Sequence, residues 1–276
     1  MSVDAGFYNE SVKPQERVVA LMGRAFELQQ MDSLRQAATI LEEALSEARK
    51  TPYEIEFETR IQLAMSLADV FQRLGHIQKA CAMLLEESAF AERISQVMQA
   101  TGTPSQKRSA TSGFLQIRDR SIQMSLLGKE SPEIEIKEWI KGGIRSLADL
   151  HGHVVLIEFW ATWCKPCQEM FPKLTSLHET EGSKGLEIIG LTRHYLAYGG
   201  TSESLMEERQ LMLDMVDRHG VKFHVGVAKD EKLQSLFGAN GLPTMVLIDR
   251  SGMIRYAGPG EGDPLFNKEL QDFLNS

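Results

Sequence analysis

The chain has 276 residues, 42% hydrophobic and 25% charged, a mix that excludes a wholly disordered, collagenous or low-complexity protein. Acidic residues outnumber basic ones by 38 to 30, a net charge of −8, so nucleic acid, which needs a broad positive field, is not an expected partner. No apolar run approaches the ~18 residues of a membrane-spanning helix, and MSVDAGFYNE lacks the basic start and apolar run of a secretory signal. The sequence as given is therefore expected to be soluble and cytoplasmic, or extracytoplasmic if a leader has been removed.

At ~100–200 residues per domain the length suits two domains, and the chain divides by period. From Gln15 to about Val97 glycine and proline are scarce and apolar residues recur at three and four. Val18, Leu21, Met22, Ala25, Phe26 and Leu28 form one series; Leu34, Ala37, Ala38, Leu41, Ala44, Leu45 and Ala48 form the next. A third follows Thr51-Pro52 through Ile61, Leu63, Ala64, Leu67, Ala68 and Phe71. A fourth follows Leu74-Gly75 through Ile77, Ala80, Met83, Leu84 and Ser88. These predict two helix pairs within a helical domain over 14–100. ATILEEALSEA at 38–48 matches AMLLEESAFAE at 82–92, an offset of 44. The second pair, LADVFQRLGHIQKACAMLLEE, resembles tetratricopeptide-type helical repeats, although a plain four-helix bundle would give the same pattern.

The segment TGTPSQKRSATS is polar, rich in Ser, Thr, Gly and Pro, and predicts a linker over 101–120. Lys107, Arg108, Arg118, Arg120 and Lys129 against Asp119 and Glu130 give residues 101–130 a local charge of +3. Either a solvated linker or a contact to an acidic partner would account for it.

Beyond Pro132, within a second domain over 121–276, the pattern changes to short apolar runs: EIEIKEWI, VVLIEFW, LEIIGL, FHVGVA, TMVLID and IRYAG. These predict strands. Helices are expected at about Cys164 to Glu181, Glu203 to Arg218, Glu231 to Phe237 and Pro264 to Leu274. Alternating strands and helices imply parallel segments, while DRSG before IRYAG supplies a hairpin and an antiparallel edge. The predicted fold is a two-domain α+α/β chain, an all-α helical-repeat domain followed by a mixed sheet flanked by helices.

The most informative segment is VVLIEFWATWCKPCQEMFP. Two cysteines with two residues between them, where a strand runs into a helix, can close a disulfide within one turn. Cys164 would sit where unpaired backbone N–H groups and the helix dipole stabilise a thiolate, which makes it the candidate nucleophile. Cys167, one turn deeper, would be shielded and would resolve the mixed disulfide. Glu158 stands six residues before Cys164 on an otherwise apolar strand. Burial there would raise its pKa and suit it to exchange a proton with Cys167, unless it faces solvent. Zinc ligation and an inert structural disulfide are the competing readings of the pair, but no second CxxC or well-spaced Cys/His cluster supplies further ligands, and no metal is expected. His151 and His153 read as a loop before a strand, and Cys81 as a small core hydrophobe.

FWATWCKPC followed by FP, a distal GLPTMVLID and a terminal helix resemble the thioredoxin superfamily, specifically its TlpA-like and ResA-like thiol–disulfide oxidoreductases, over Ser131 to Ser276. The resemblance implies a thioredoxin-like α/β/α sheet and a thiol–disulfide oxidoreductase activity. It implies that Pro243 is the family's cis-proline, lying against the CxxC, and that the Leu242 backbone pairs with an extended substrate. Glu158 falls at the family's buried acid and Pro172 at its helix kink, while Trp160 and Trp163 would form an apolar rim around Cys164. Two features depart from the family. HYLAYGGTSESLMEERQLMLDMV is longer than in a minimal thioredoxin, so that Tyr195, Tyr198 and two glycines either form a mobile loop near the site or simply connect strand to helix. Lys165 replaces the glycine of thioredoxin between the cysteines.

Together these readings predict an enzyme that reduces disulfides of specific protein partners, with the helical domain binding a partner. No glycine-rich nucleotide fingerprint adjoins a strand, so no organic cofactor is implied and electrons would come from a thiol donor protein. A thiol peroxidase is an alternative, although Ala161 stands where a peroxidatic site sets Thr or Ser. A redox-inactive interaction scaffold is the other.

Overall fold

The computed structural model of the chain describes residues 12–195 and 202–275. Tyr198 and the two glycines Gly199 and Gly200 lie outside the described residues. Two compact units divide between Ser121 and Ile122. Among the described residues no helix is long and apolar enough to cross a membrane.

The first unit opens with α1 (Pro14–Gln30), α2 (Leu34–Lys50), α3 (Phe57–Arg73) and α4 (Ile77–Thr101), each packed on the next. Both hairpins turn the same way. Asp32 and Gly75 take left-handed φ of 53° and 76°, and Ser33 N–H to Leu28 O and His76 N–H to Phe71 O, both 2.8 Å, close the two turns. Asp tolerates the left-handed region through its short polar side chain and Gly enters it freely. These turns are 43 residues apart, which corrects the offset of 44 read from residue matching. At 43, buried Ala37, Leu41, Ala44 and Ala48 fall on buried Ala80, Leu84, Glu87 and Ala91. The equivalent of Ala44 is thus a buried carboxylate. Arg60 Nε and Arg49 Nε donate to Glu87 at 2.7 and 2.9 Å, and the Arg60 guanidinium lies 3.6 Å over the Phe90 ring. Phe26, counted in the first apolar series, is instead 61% exposed.

The segment predicted as a linker is helical: α5 spans Pro104–Leu126. Pro104 occupies its first turn, where a missing N–H costs nothing. Ahead of it Thr103 and Gln106 cap reciprocally, Thr103 N–H to Gln106 Oε1 at 2.9 Å and Gln106 N–H to Thr103 Oγ1 at 3.4 Å. The apolar period is present but sparse: the buried hydrophobic residues are Ala110, Ile117 and Met124, seven apart, and Gly113, Asp119, Arg120 and Gln123 complete the buried set. The local positive charge is also not wholly solvated, because buried Arg120 pairs with Asp69 at 2.6 Å.

The second unit is a six-stranded mixed sheet in the order β1-β4-β3-β2-β5-β6. Its strands are β1 (Ile136–Lys141), β2 (Val154–Phe159), β3 (Leu186–Thr192), β4 (His224–Ala228), β5 (Thr244–Ile248) and β6 (Ile254–Gly258). The strands β2, β3 and β4 are parallel, joined by crossovers through α6 (Lys165–Glu181) and α7 (Ser202–Arg218). Antiparallel β5 and β6 extend one side. The DRSG hairpin between them is held by Asp249, whose side chain accepts from Ser251 N–H at 2.9 Å and Met253 N–H at 3.1 Å. The other edge, β1, is antiparallel to β4, a second antiparallel edge that no turn signal announced. One sheet face buries residues of α6, α7 and α9 (Pro264–Leu274). The opposite face packs Leu233 of α8 (Lys232–Leu236), Phe237 and the end of α5.

Candidate active site

Every residue of β2 is buried, and strand alternation sorts them. Val155, Ile157 and Phe159 face the α8 side, while Val154 and Leu156 face the α6 side, joined there by Trp160. Glu158 shares their parity. It is 0% exposed, so the solvent-facing alternative does not hold. Neither carboxyl oxygen has a hydrogen-bond partner, and burial alone pushes the pKa well above the usual glutamate range.

The chain leaves β2 through one more sheet bond, Trp160 N–H to Leu191 O at 2.9 Å, and then turns, Cys164 N–H meeting Ala161 O at 3.0 Å. Cys164 is the N-cap of α6. Cys164 and Cys167 are joined as a disulfide, with Cα atoms 5.4 Å apart. The Cys164 Sγ accepts the Cys167 N–H at 3.3 Å, one of the donors a helix start leaves unpaired. Pro166 falls where no intrahelical N–H is needed, and the Gln168 side chain ties the turn through Thr162 O at 2.9 Å. Cys164 keeps 3% of its surface and Cys167 none, so a partner reaches the first sulfur before the second. Pro172 lies inside α6 and removes one further N–H from its ladder.

The two tryptophans part company. Trp163 is 60% exposed beside Cys164, but Trp160 is 0% exposed, edge-on to Phe171 at 5.1 Å between centroids. Trp160 therefore backs the disulfide from within the core and is not part of the rim, because it continues the buried face of β2. The Leu242–Pro243 bond is cis. The pairs Thr244 with Phe159 and Met245 with Glu158 bring Pro243, just ahead of β5, to the level at which the chain leaves β2. Leu242 packs partly against both core faces.

A side-chain network beside Trp163 had no signal in the sequence beyond Tyr195. That ring meets Trp163 edge-on at 5.5 Å, and the Arg193 guanidinium lies 4.2 Å over it. Buried Gln234 binds both, donating to the Tyr195 hydroxyl and accepting from Arg193 Nε. Burial raises the pKa of the Tyr195 phenol, with Gln234 and Arg193 opposing. Buried Glu208 accepts the Tyr195 N–H at 2.8 Å and lies 3.2 Å from His194 Nδ1. Glu138 lies 3.5 Å from His194 Nε2 and accepts from Arg209 at 2.7 Å. Burial acts to raise the pKa of Glu138, but bonds and charge from Arg209 and His194 outweigh it and hold the pKa down. These residues come from β1, the end of β3, α7 and α8, so no local window contains them. Cys81, outside the disulfide, is half-buried on α4.

A disulfide at a helix N-terminus, following a buried strand and backed by a buried acid, sits in a stretch that matches a known family. Residues 127–257 match the AhpC/TSA family. The stretch is similar to that family, and its mixed sheet with flanking helices is thioredoxin-like. Its similarity extends to a thiol-disulfide oxidoreductase ResA of Bacillus thuringiensis (strain Al Hakam), 33% identical over 128 residues, 46% of this chain and 66% of that protein. A thiol-disulfide oxidoreductase ResA of Geobacillus thermodenitrificans (strain NG80-2) is 25% identical over 129 residues, 47% of this chain and 67% of that protein. The chain thus spans just under two thirds of the Bacillus thuringiensis protein. Among solved structures, a thiol-disulfide isomerase from Corynebacterium glutamicum is 22% identical, covering 54% of this chain and 97% of its own, with a TM-score of 0.46. The thioredoxin-like domain carries the disulfide, Glu158 and the cis-proline, and the matched stretch leaves α1 to α4 outside it.

Proposed function

We propose that the chain is a thiol–disulfide oxidoreductase that reduces disulfides of specific protein partners. The arrangement of the cysteines carries the reading: Cys164 caps a helix and takes the Cys167 N–H on its sulfur, and Cys167 is closed to solvent. In the reduced protein the Cys164 thiolate, favoured by the helix start, attacks one substrate sulfur and expels the other as a thiolate. Cys167 gives its proton to the Glu158 carboxylate and attacks the Cys164 sulfur. The substrate sulfur bonded to Cys164 leaves as a thiolate, the Cys164–Cys167 disulfide closes, and two electrons have passed to the substrate. Glu158 then returns the proton to a departing thiolate.

Trp163, Leu242 and Pro243 would meet the substrate, and a thiol donor protein would restore the dithiol. The paired helices of the first unit, resembling tetratricopeptide repeats, would hold a protein partner. Reduced Cys167→Ser in a Cys81→Ser background is expected to accumulate a mixed disulfide with a disulfide-containing protein, and Cys164→Ser to form none. Absence of an adduct with any such protein sinks the proposal. Equilibration with thiol–disulfide buffers assigns direction: a midpoint near or below about −270 mV supports a reductase, and one nearer −120 mV an oxidant.

A further inference from the structure

We propose that Trp160 is a positioning residue for the proton on Glu158, its indole N–H and the Glu158 carboxyl sharing one bound water in the core layer that holds the disulfide. The inference rests on the reading of Glu158 as the proton-exchanging group. Both carboxyl oxygens of Glu158 and the Nε1 of Trp160 are buried without a hydrogen-bond partner. They are two residues apart on one face of the chain leaving β2. A buried donor and a buried acceptor, each unmet, are costly apart and complementary together.

Their surroundings bring them to one place. Glu158 pairs in register with Gly190 of β3. A Cβ at Gly190 would stand 3.2 Å from Trp160 Nε1 and 3.3 Å from Phe223 Cε2. The glycine therefore lets the indole lie over β3 at the position that pairs with Glu158. Because neither oxygen has a partner within hydrogen-bonding distance, the link cannot be direct in this conformation. One water, accepting from the indole and donating to the carboxylate, is the smallest bridge that satisfies both groups.

The other titratable groups of this layer are Cys164 and Cys167 on α6, Tyr195 after β3, partly buried against it, His219 after α7, edge-on to Phe171, and Tyr256 on β6. The Tyr256 hydroxyl is already committed, donating to Asp263 at 2.8 Å and accepting the Gly260 N–H at 2.9 Å. No charged side chain contributes to the shift at Glu158. The bridge favours the ionised carboxylate, which has to form before Cys167 can hand over its proton.

The test uses the full chain with its disulfide intact, so that neither Cys164 nor Cys167 titrates. The Trp160 indole N–H resonance and the Glu158 carboxyl carbon would be followed by NMR from about pH 4 to 10. The indole signal is expected to titrate with the midpoint of Glu158, and to lose that transition in Glu158→Gln. In Trp160→Phe the Glu158 midpoint is expected to rise by roughly half a unit or more. An indole signal that stays flat over that range overturns the inference. A Glu158 carboxyl that titrates in the ordinary glutamate range, with mixed-disulfide resolution unchanged in Glu158→Gln, overturns the proton-exchange reading as well.

Discussion

Glu158 is the residue at which folding and chemistry conflict. Its neighbours on β2 are apolar, its carboxyl has no partner, and burial raises its pKa well above the usual 4.5. The folded chain therefore holds a proton that the unfolded chain would release. Stability on this account is complete below about pH 4.5, where both states are protonated, and falls as pH rises through the folded-state pKa. Glu158→Gln, of the same shape and uncharged, should abolish that loss. In denaturant unfolding of the oxidised protein the variant should gain on the parent above pH 4.5 by up to about 1.4 kcal/mol per pH unit, until the folded pKa is passed. Parallel stability curves would show that the carboxyl is not held protonated by burial. Both the acid and its apolar strand were legible in VVLIEFW; the side it faces was not, because a strand buried on both faces has no polar alternation to reveal it.

At the scale of elements, the strands and helices of the thioredoxin-like domain follow the sequence pattern closely, since short apolar runs between turn residues have few other uses. Helix α5 does not. Its buried hydrophobic residues are only Ala110, Ile117 and Met124, one in seven, among serines and threonines whose local preference is for turns and caps. Tertiary packing overrides that preference. Replacing Ile117, which is 0% exposed, by alanine is expected to cost about 2–4 kcal/mol in denaturant unfolding. A solvated linker would register less than about 0.5 kcal/mol, and a change that small would be incompatible with the packed helix. The network around Tyr195 was illegible for a different reason: Arg193, Glu208 and Gln234 are ordinary surface types until three elements converge on one ring.

Across the whole molecule, each unit has its own buried residues, so each is expected to melt with its own transition. Glu87 tests this, since removal of its carboxylate strands Arg60, which is 5% exposed, without its ionic partner. Glu87→Ala should lower the stability of the helical unit by about 3–5 kcal/mol. In calorimetry one transition should move while the other, and the thiol–disulfide midpoint, stay in place. Movement of both transitions together would refute separate cores.

The sequence by itself determined the two periods, the strands of the mixed sheet, the pair of helical hairpins and the cysteine pair at a helix start. Each is written in residues close along the chain, as spacing, turn chemistry or a short motif. Tertiary structure alone decided the 43-residue register of the hairpins, the helix in place of a linker, the second antiparallel edge at β1, and the retreat of Trp160 from rim to core. It also decided that Glu158 faces the disulfide layer across from Gly190. Each of these depends on which distant residue lies opposite, and the patterns read along a single chain carry no such information.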